Sequence, residues 1–271
     1  MDCVELFAGG GGSAIGLAWA GLRHTYAVEK DSNACRTLRA NGLQVDECLV
    51  SLWTRPVAPG SFLWASPPCQ PYSRNGKQLG AKDARDAWPE TLAQVYRIRP
   101  SIVVIENVAQ APGEQWRTEL ARLFPYTEVW NLKACDYQVS QRRARIFVVA
   151  SFKPFTKPKP FPLMPLSSIL PGDYWTREEQ NGMRARHSSE VGHTLTTKGN
   201  VYLYSKDPGT RRPSDRVHHN NGRRLTTHEA ALIMGFPDAW IWPCGSVEMM
   251  KQIGNAVPPM LAYHVARALV C

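Results

Sequence analysis

Short β-rich runs alternate with amphipathic segments through the first 150 residues. "CVELFA", "HTYAVE", "SFLWAS", "SIVVIENV", "TEVWNL" and "RIFVVAS" have the length and β-branched or aromatic content of strands, while "ACRTLRANG", "PETLAQVYRI" and "EQWRTELARLF" carry helical periodicity between them. That order implies an α/β fold, a parallel sheet wrapped by helices that places ligands at the carboxyl edge of its strands. The texture changes over residues 152–172, where Pro154, Pro158, Pro160, Pro162, Pro165 and Pro171 exclude a long helix and most central strands. Beyond this connection the chain is rich in Gly, Arg, His and Thr as far as Gly222, with only brief apolar runs. Helical periodicity returns in "LTTHEAALIMGFP" and "PPMLAYHVARALV", and the last of these is expected to pack back on the first domain.

Composition narrows the partners. Lys plus Arg exceed Asp plus Glu by 32 − 23 = 9 in 271 residues, a surplus that favours a polyanion, nucleic acid first. Residues 151–222 hold 11 Lys or Arg and 6 Asp or Glu, so over half of the surplus, 11 − 6 = 5, sits in about a quarter of the length. The seven cysteines are scattered and never form CxxC, which argues against a disulfide framework and a zinc site and fits a reducing cytoplasm. No apolar run approaches the roughly 20 residues of a membrane helix, and "MDCVELFAGG" lacks the features of an export signal. A soluble cytoplasmic protein without a membrane partner is expected. Five of the seven histidines lie between His187 and His228, but at no metal-binding spacing, so no metal is expected.

The chemistry gathers at predicted strand ends. "ELFAGGGGSAIGLAWAG" reads as strand, glycine turn and helix, and Glu29 ends the next strand, 20 residues after Gly9. Glycines let backbone approach a ligand closely, and a carboxylate at that distance can accept from ribose hydroxyls. This pattern alone suits a methyl donor or a dinucleotide equally. Cys69, in "SPPCQPYS", follows a strand end behind two prolines that fix its approach, either as a nucleophile or as an inert buried thiol. "IVVIENV" brings Glu106 and Asn107 to another strand end, where a buried carboxyl can gain a raised pKa and share a proton. "QRRARIFVVAS" places Arg143 and Arg145 on one face at the start of a strand, by the period of two. Nucleophile, acid and guanidinium at the edges of one sheet predict a shared pocket.

"ELFAGGGGSAIG", "SPPCQPYS", "NGKQLGAKDAR", "ENV", "QRRAR", "RRLTTHEAALIMGFPD" and "QIGNAVPP" occur in the order found in the DNA (cytosine-5) methyltransferases, which the chain closely resembles over nearly its full length. The resemblance implies a Rossmann-like S-adenosyl-L-methionine-dependent domain of residues 1–165 plus 246–271. It also implies a small irregular target recognition domain of 166–222 and a hinge of 223–245. It makes Cys69 the nucleophile at C6 of a flipped-out cytosine, Glu106 the partner of N3 and Arg145 the group on O2, with Arg143 beside it in the catalytic set. Phe7, Gly9, Gly11, Glu29, Pro68 and Asn255 match the cofactor positions. Ser73, Lys77, Arg85, Thr194, Lys198, Arg211 and Arg212 become the expected contacts to double-stranded DNA.

Two positions depart from the family pattern: Glu5 stands where Asp is usual, and Lys30 where a bulky apolar residue flanks the adenine. Asp46 and Glu47 compete for the adenine amino group, and neither aligns cleanly. A monomeric prokaryotic or phage modification enzyme is implied, with no physical need of a cognate restriction endonuclease. The tRNA-methylating branch of the family is a rival, although its "CFT" signature is absent. A catalytically silent DNA-binding protein is the other, disfavoured by intact Cys69, Glu106 and Arg145.

Overall fold

The computed structural model describes residues 1–72, 80–178, 185–199, 201–205 and 222–270. Its elements run β1 (Asp2–Leu6), α1 (Gly12–Trp19), β2 (Arg23–Glu29), α2 (Ser32–Ala40), β3 (Val45–Glu47), β4 (Phe62–Ala65), α3 (Trp88–Ile98), β5 (Ile102–Val108), α4 (Gly113–Leu120), β6 (Tyr126–Lys133) and β7 (Ala144–Ser151). These strands form one sheet in the order β3-β2-β1-β4-β5-β7-β6. Residues of β4 and β5 alternate between its two faces. Phe62, Trp64, Ile102 and Val104 pack on one side with Leu17 of α1, and Leu63, Ala65, Val103 and Ile105 on the other with Trp88, Trp116 and Leu120 of α3 and α4. Both faces are therefore apolar and covered, which is why these strands read as near-continuous apolar runs.

The sheet is mixed, not parallel as the element order implies. β7 runs antiparallel to both β5 and β6. Only residues 134–143 join β6 to β7, and a parallel return needs a crossover of a dozen or more residues.

The second half of the chain adds β8 (Trp175–Glu178), β9 (Arg186–His187), β10 (Val201–Tyr204), β11 (Gly222–Arg224), α5 (Thr227–Met234), α6 (Ser246–Asn255) and α7 (Pro259–Val270). The region expected to be irregular contains an antiparallel sheet in the order β11-β10-β8-β9. Its strands are two to four residues long and separated by polar chain, too short for periodicity to reveal. Leu195, Val201 and Leu203 bury their side chains against Ile233 and Met234 of α5 and Ile253 of α6. As expected, α7 returns to the large sheet, where Leu261, Ala262 and Val265 pack with Leu17 and Trp64.

Candidate active site

The glycine turn after β1 joins the N-terminal strand to the C-terminal helices. Gly9 and Gly11 adopt φ values of +54° and +89°, and Phe7 a φ of +59°, which a non-glycine residue adopts only under constraint. Part of that constraint comes from Glu29, whose carboxylate accepts from the backbone N–H of Gly9 at 2.9 Å and from those of Lys30 and Asp31 at 2.8 Å. A Cβ on Gly12 would lie 2.2 Å from the Val257 carbonyl oxygen, so only glycine lets α1 meet the segment that leads into α7. Gly11 serves packing and is absent from the cavity wall: its Cβ would stand 2.6 Å from the Trp240 ring.

A cavity of about 560 Å³ opens at the carboxyl edge of β1, β2, β4 and β5. Phe7, Gly9, Glu29, Pro68, Cys69, Glu106, Arg145 and Asn255 all line it, drawn from both ends and the middle of the chain. Among these residues, Arg145 Nε lies 3.0 Å from Glu106 Oε1. Strand register explains the pair: Arg145 stands opposite Val108 on the antiparallel partner, one same-face step from Glu106. Asn107 donates from Nδ2 to the Pro67 carbonyl at 3.0 Å and accepts from the Val108 N–H at 2.9 Å, fixing the turn that presents Cys69. Sequence reading identifies Asn107 but assigns it no such duty, because its partner lies 40 residues away.

The electrostatics bind Cys69 and Glu106 to one another. Burial pushes the Cys69 thiol above its ordinary value, the Glu106 carboxylate adds to the rise, and Arg145 and Arg143 oppose it. Burial likewise raises the Glu106 carboxyl against the opposing pull of the two arginines and a hydrogen bond from Ser66. A carboxyl raised by burial in this way is suited to exchange a proton with a bound group.

Arg143 does not join this pair on the cavity wall. It precedes β7, is fully buried, and donates to the carbonyls of Leu195 at 2.9 Å, Gly254 at 2.8 Å and Ala256 at 2.9 Å. Its guanidinium is a three-way backbone clamp, and the period of two fails because the strand begins only at Ala144. Neither candidate for the adenine amino group reaches the cavity. Asp46 is taken by Trp53 Nε1 and Arg55, Glu47 by Arg39 and Ser32, and Cys48 to Ser51 form that stretch of wall.

Of the expected DNA contacts, Arg85 stands at the cavity edge with its guanidinium on Asp83 at 2.6 Å. Thr194 is half-buried and Lys198 exposed, in a segment whose Thr197 N–H approaches so closely that a Cβ on Gly254 would lie 2.3 Å away. Ser73, Lys77, Arg211 and Arg212 lie outside the described residues. Among the described residues no group of three or more His, Cys, Asp or Glu side chains could hold a metal ion, and no helix is long and apolar enough to cross a membrane.

The residues present fit a nucleoside-bearing methyl donor. A Cβ on Gly9 would meet no protein atom within 4 Å, so the space beside the turn belongs to the cavity. Glu29 keeps acceptor capacity on Oε2, which takes only the one N–H from Gly9.

The profile of the C-5 cytosine-specific DNA methylases matches residues 1–166 and 167–271. The chain is 31% identical over 300 residues to the type II methyltransferase M.NgoMIV of Neisseria gonorrhoeae, covering 98% of this chain and 96% of that protein. It is also 31% identical over 312 residues to the type II methyltransferase M.NaeI of Lentzea aerocolonigenes, covering 99% and 74%. Among solved structures, a Spodoptera frugiperda DNMT2 mutant superposes with a TM-score of 0.73 at 17% identity, over 97% of this chain and 98% of that one. Sequence and fold thus agree, and the chain belongs to the C-5 cytosine-specific DNA methylase family, as an S-adenosyl-L-methionine-dependent DNA cytosine-5 methyltransferase.

Proposed function

We propose that the enzyme methylates C5 of a cytosine turned out of duplex DNA, through a covalent bond between Cys69 Sγ and C6 of the base. The observation that carries this reading is that Cys69, Glu106 and Arg145 line one cavity, with Arg145 and Glu106 paired at 3.0 Å. Addition of a thiolate at C6 turns C5 into an enamine-like carbon, a far better nucleophile than the aromatic ring. Glu106 shares its proton with N3, Arg145 holds O2, and loss of the C5 proton then releases Cys69. S-adenosylmethionine supplies the electrophilic methyl group, and Phe7, Gly9, Glu29, Pro68 and Asn255 are the residues that would hold it. A ring inside a duplex is out of reach of a buried thiol, so the base has to leave the stack, at a cost of a few kcal/mol.

Residues 166–222 carry target recognition in this reading, supported by the charge surplus of this part of the chain and by its separate small sheet. Residues 1–165 plus 246–271 form the catalytic domain, with 223–245 the hinge between the two. At least one of Arg211 and Arg212 contacts phosphate in this reading, so alanine at both should reduce the salt slope of DNA binding by about one per lost phosphate contact, whereas a base-edge contact would relax one or two positions of the site.

The deciding experiment uses labelled cofactor with duplex DNA and with tRNA. Methyl transfer to the duplex is expected, and to be abolished in Cys69→Ser, whose hydroxyl is scarcely ionised at neutral pH. A duplex bearing 5-fluorocytosine should trap a covalent adduct with the wild type and none with Cys69→Ser. Turnover of Cys69→Ser within tenfold of wild type would end the nucleophile assignment, and methylation of tRNA alone would replace the substrate.

A further inference from the structure

One face of the large sheet leads from the core to the active-site cavity. Trp64 of β4 and Phe147 of β7 are fully buried on it, their rings in edge-to-face contact with centroids 5.9 Å apart. One same-face step towards the carboxyl edge, Trp64 is followed by Ser66, and Phe147 by Arg145 on its antiparallel strand. Glu106 of β5 stands between them. It pairs with Phe147 on one side, and on the other it follows Ile105, the partner of Ala65. The ladder persists past the end of β4, where the Ser66 N–H donates to the Leu6 carbonyl at 3.2 Å and Pro67 takes the Asn107 amide. Ser66 and Glu106 are therefore neighbours on adjacent strands, and both line the cavity.

The hydrogen-bonding roles of these groups run in one direction. An indole N–H only donates, an ionised carboxylate only accepts, and a hydroxyl does both. Trp64 Nε1 donates to Ser66 Oγ at 3.1 Å, which occupies one lone pair of the hydroxyl and leaves its proton for the Glu106 carboxylate beside it. Arg145 Nε holds the same carboxylate from the other neighbouring strand at 3.0 Å. Burial raises the Glu106 carboxyl, and the Ser66 hydroxyl is among the groups that oppose the rise, because its hydrogen bond favours the ionised form. The top of the core thus ends in a polar atom aimed at the cavity's acid by way of a single hydroxyl.

Resting on the reading of Glu106 as the proton partner of N3, we propose that Ser66 is a positioning residue for methyl transfer, its hydroxyl fixed by Trp64 Nε1 and holding the Glu106 carboxyl in place for the base. Ser66 gives up no proton in this role. The exchange runs between Glu106 and N3, and the Trp64–Ser66 bond stays as it is throughout.

The test is carbon NMR of the full chain labelled at the glutamate side-chain carboxyl, with the Glu106 signal identified by its loss in Glu106→Gln. Ser66→Ala should move the titration midpoint of that signal to higher pH, since the ionised form loses a donor. Ser66→Gly, which deletes the same hydroxyl and leaves water room beside Trp64 Nε1, should move it the same way. Ser66→Thr keeps a hydroxyl and should restore the wild-type midpoint. Single-turnover methyl transfer to duplex DNA should slow roughly ten- to a hundredfold in both deletion variants, the range for a hydrogen bond to a charged group. Their affinity for S-adenosylhomocysteine should stay within twofold of wild type. An unmoved midpoint or wild-type transfer in both deletion variants would overturn the proposal, as would equal losses of transfer and of cofactor affinity, which mark a structural role. A midpoint in Ser66→Thr that matches Ser66→Ala would also overturn it. Undiminished transfer by Glu106→Gln would instead remove the reading of Glu106 beneath it.

Discussion

Cys69 is not primed as a free thiolate. Burial comes first among the causes that raise it and Glu106 second, with Arg145 and Arg143 pulling the other way. Neutralising the carboxylate should therefore lower the thiol's pKa, and removing the guanidinium should raise it further. Glu106→Gln is expected to shift the pH profile of Cys69 alkylation by chloroacetamide to lower pH, and Arg145→Ala to higher pH. Mass spectrometry of the modified peptide reads both without any turnover, and shifts in one common direction would break the electrostatic account. At this scale the sequence is most informative where partners are close along a strand or turn. Glu29 and Gly9 meet because a strand and a turn of ordinary length place them so. Arg143 escaped such reading, since its acceptors come from residues 195, 254 and 256, which no local pattern announces.

Helix α5 shows how a short element is held at both charge and backbone level. Thr226 accepts from the Glu229 N–H at 3.1 Å while Glu229 accepts from the Thr226 N–H at 2.9 Å, a capping box at its first turn. Arg223 pairs with the same carboxylate, and that hydrogen bond is the first cause that brings the Glu229 carboxyl down to about 2. Thr226→Ala should cost about 1 kcal/mol, seen as a fall of roughly 2–4 °C in melting temperature. The carboxyl is depressed in the fold, so its contribution is complete above the ordinary carboxyl value of about 4.3 and is lost as pH falls from there towards about 2. Glu229→Gln should accordingly show a flatter loss of stability than wild type across that acid window in urea denaturation. The helix itself was legible in "LTTHEAALIMGFP". The antiparallel course of β7 was not, because a strand's residues are the same whichever way it runs, and only its short connection to β6 reveals the direction.

The molecule as a whole is closed by contacts between distant parts of the chain. The Arg143 clamp joins the approach to β7, the segment before Lys198 and the end of α6 in one buried arrangement. Arg143→Leu leaves three carbonyls without their charged donor and should destabilise the fold by about 3 kcal/mol or more. Arg143→Lys should rescue little, since a single ammonium lacks the planar fork that reaches all three. Denaturation midpoints test this, and a variant of wild-type stability with lost turnover would return Arg143 to the catalytic set. Helix α1, which follows the glycine turn, closes the molecule in the same manner, its backbone meeting Val257 at Gly12 and Pro259 at Gly16. Translation adds a timescale to that closure. A ribosome working at about 5–20 residues per second needs roughly 12–50 s to travel from Gly12 to Val257. Throughout that interval the nascent glycine turn lacks the wall that Gln252 and Asn255 provide, so a chain still being synthesised holds most of its sheet and no complete cofactor cavity.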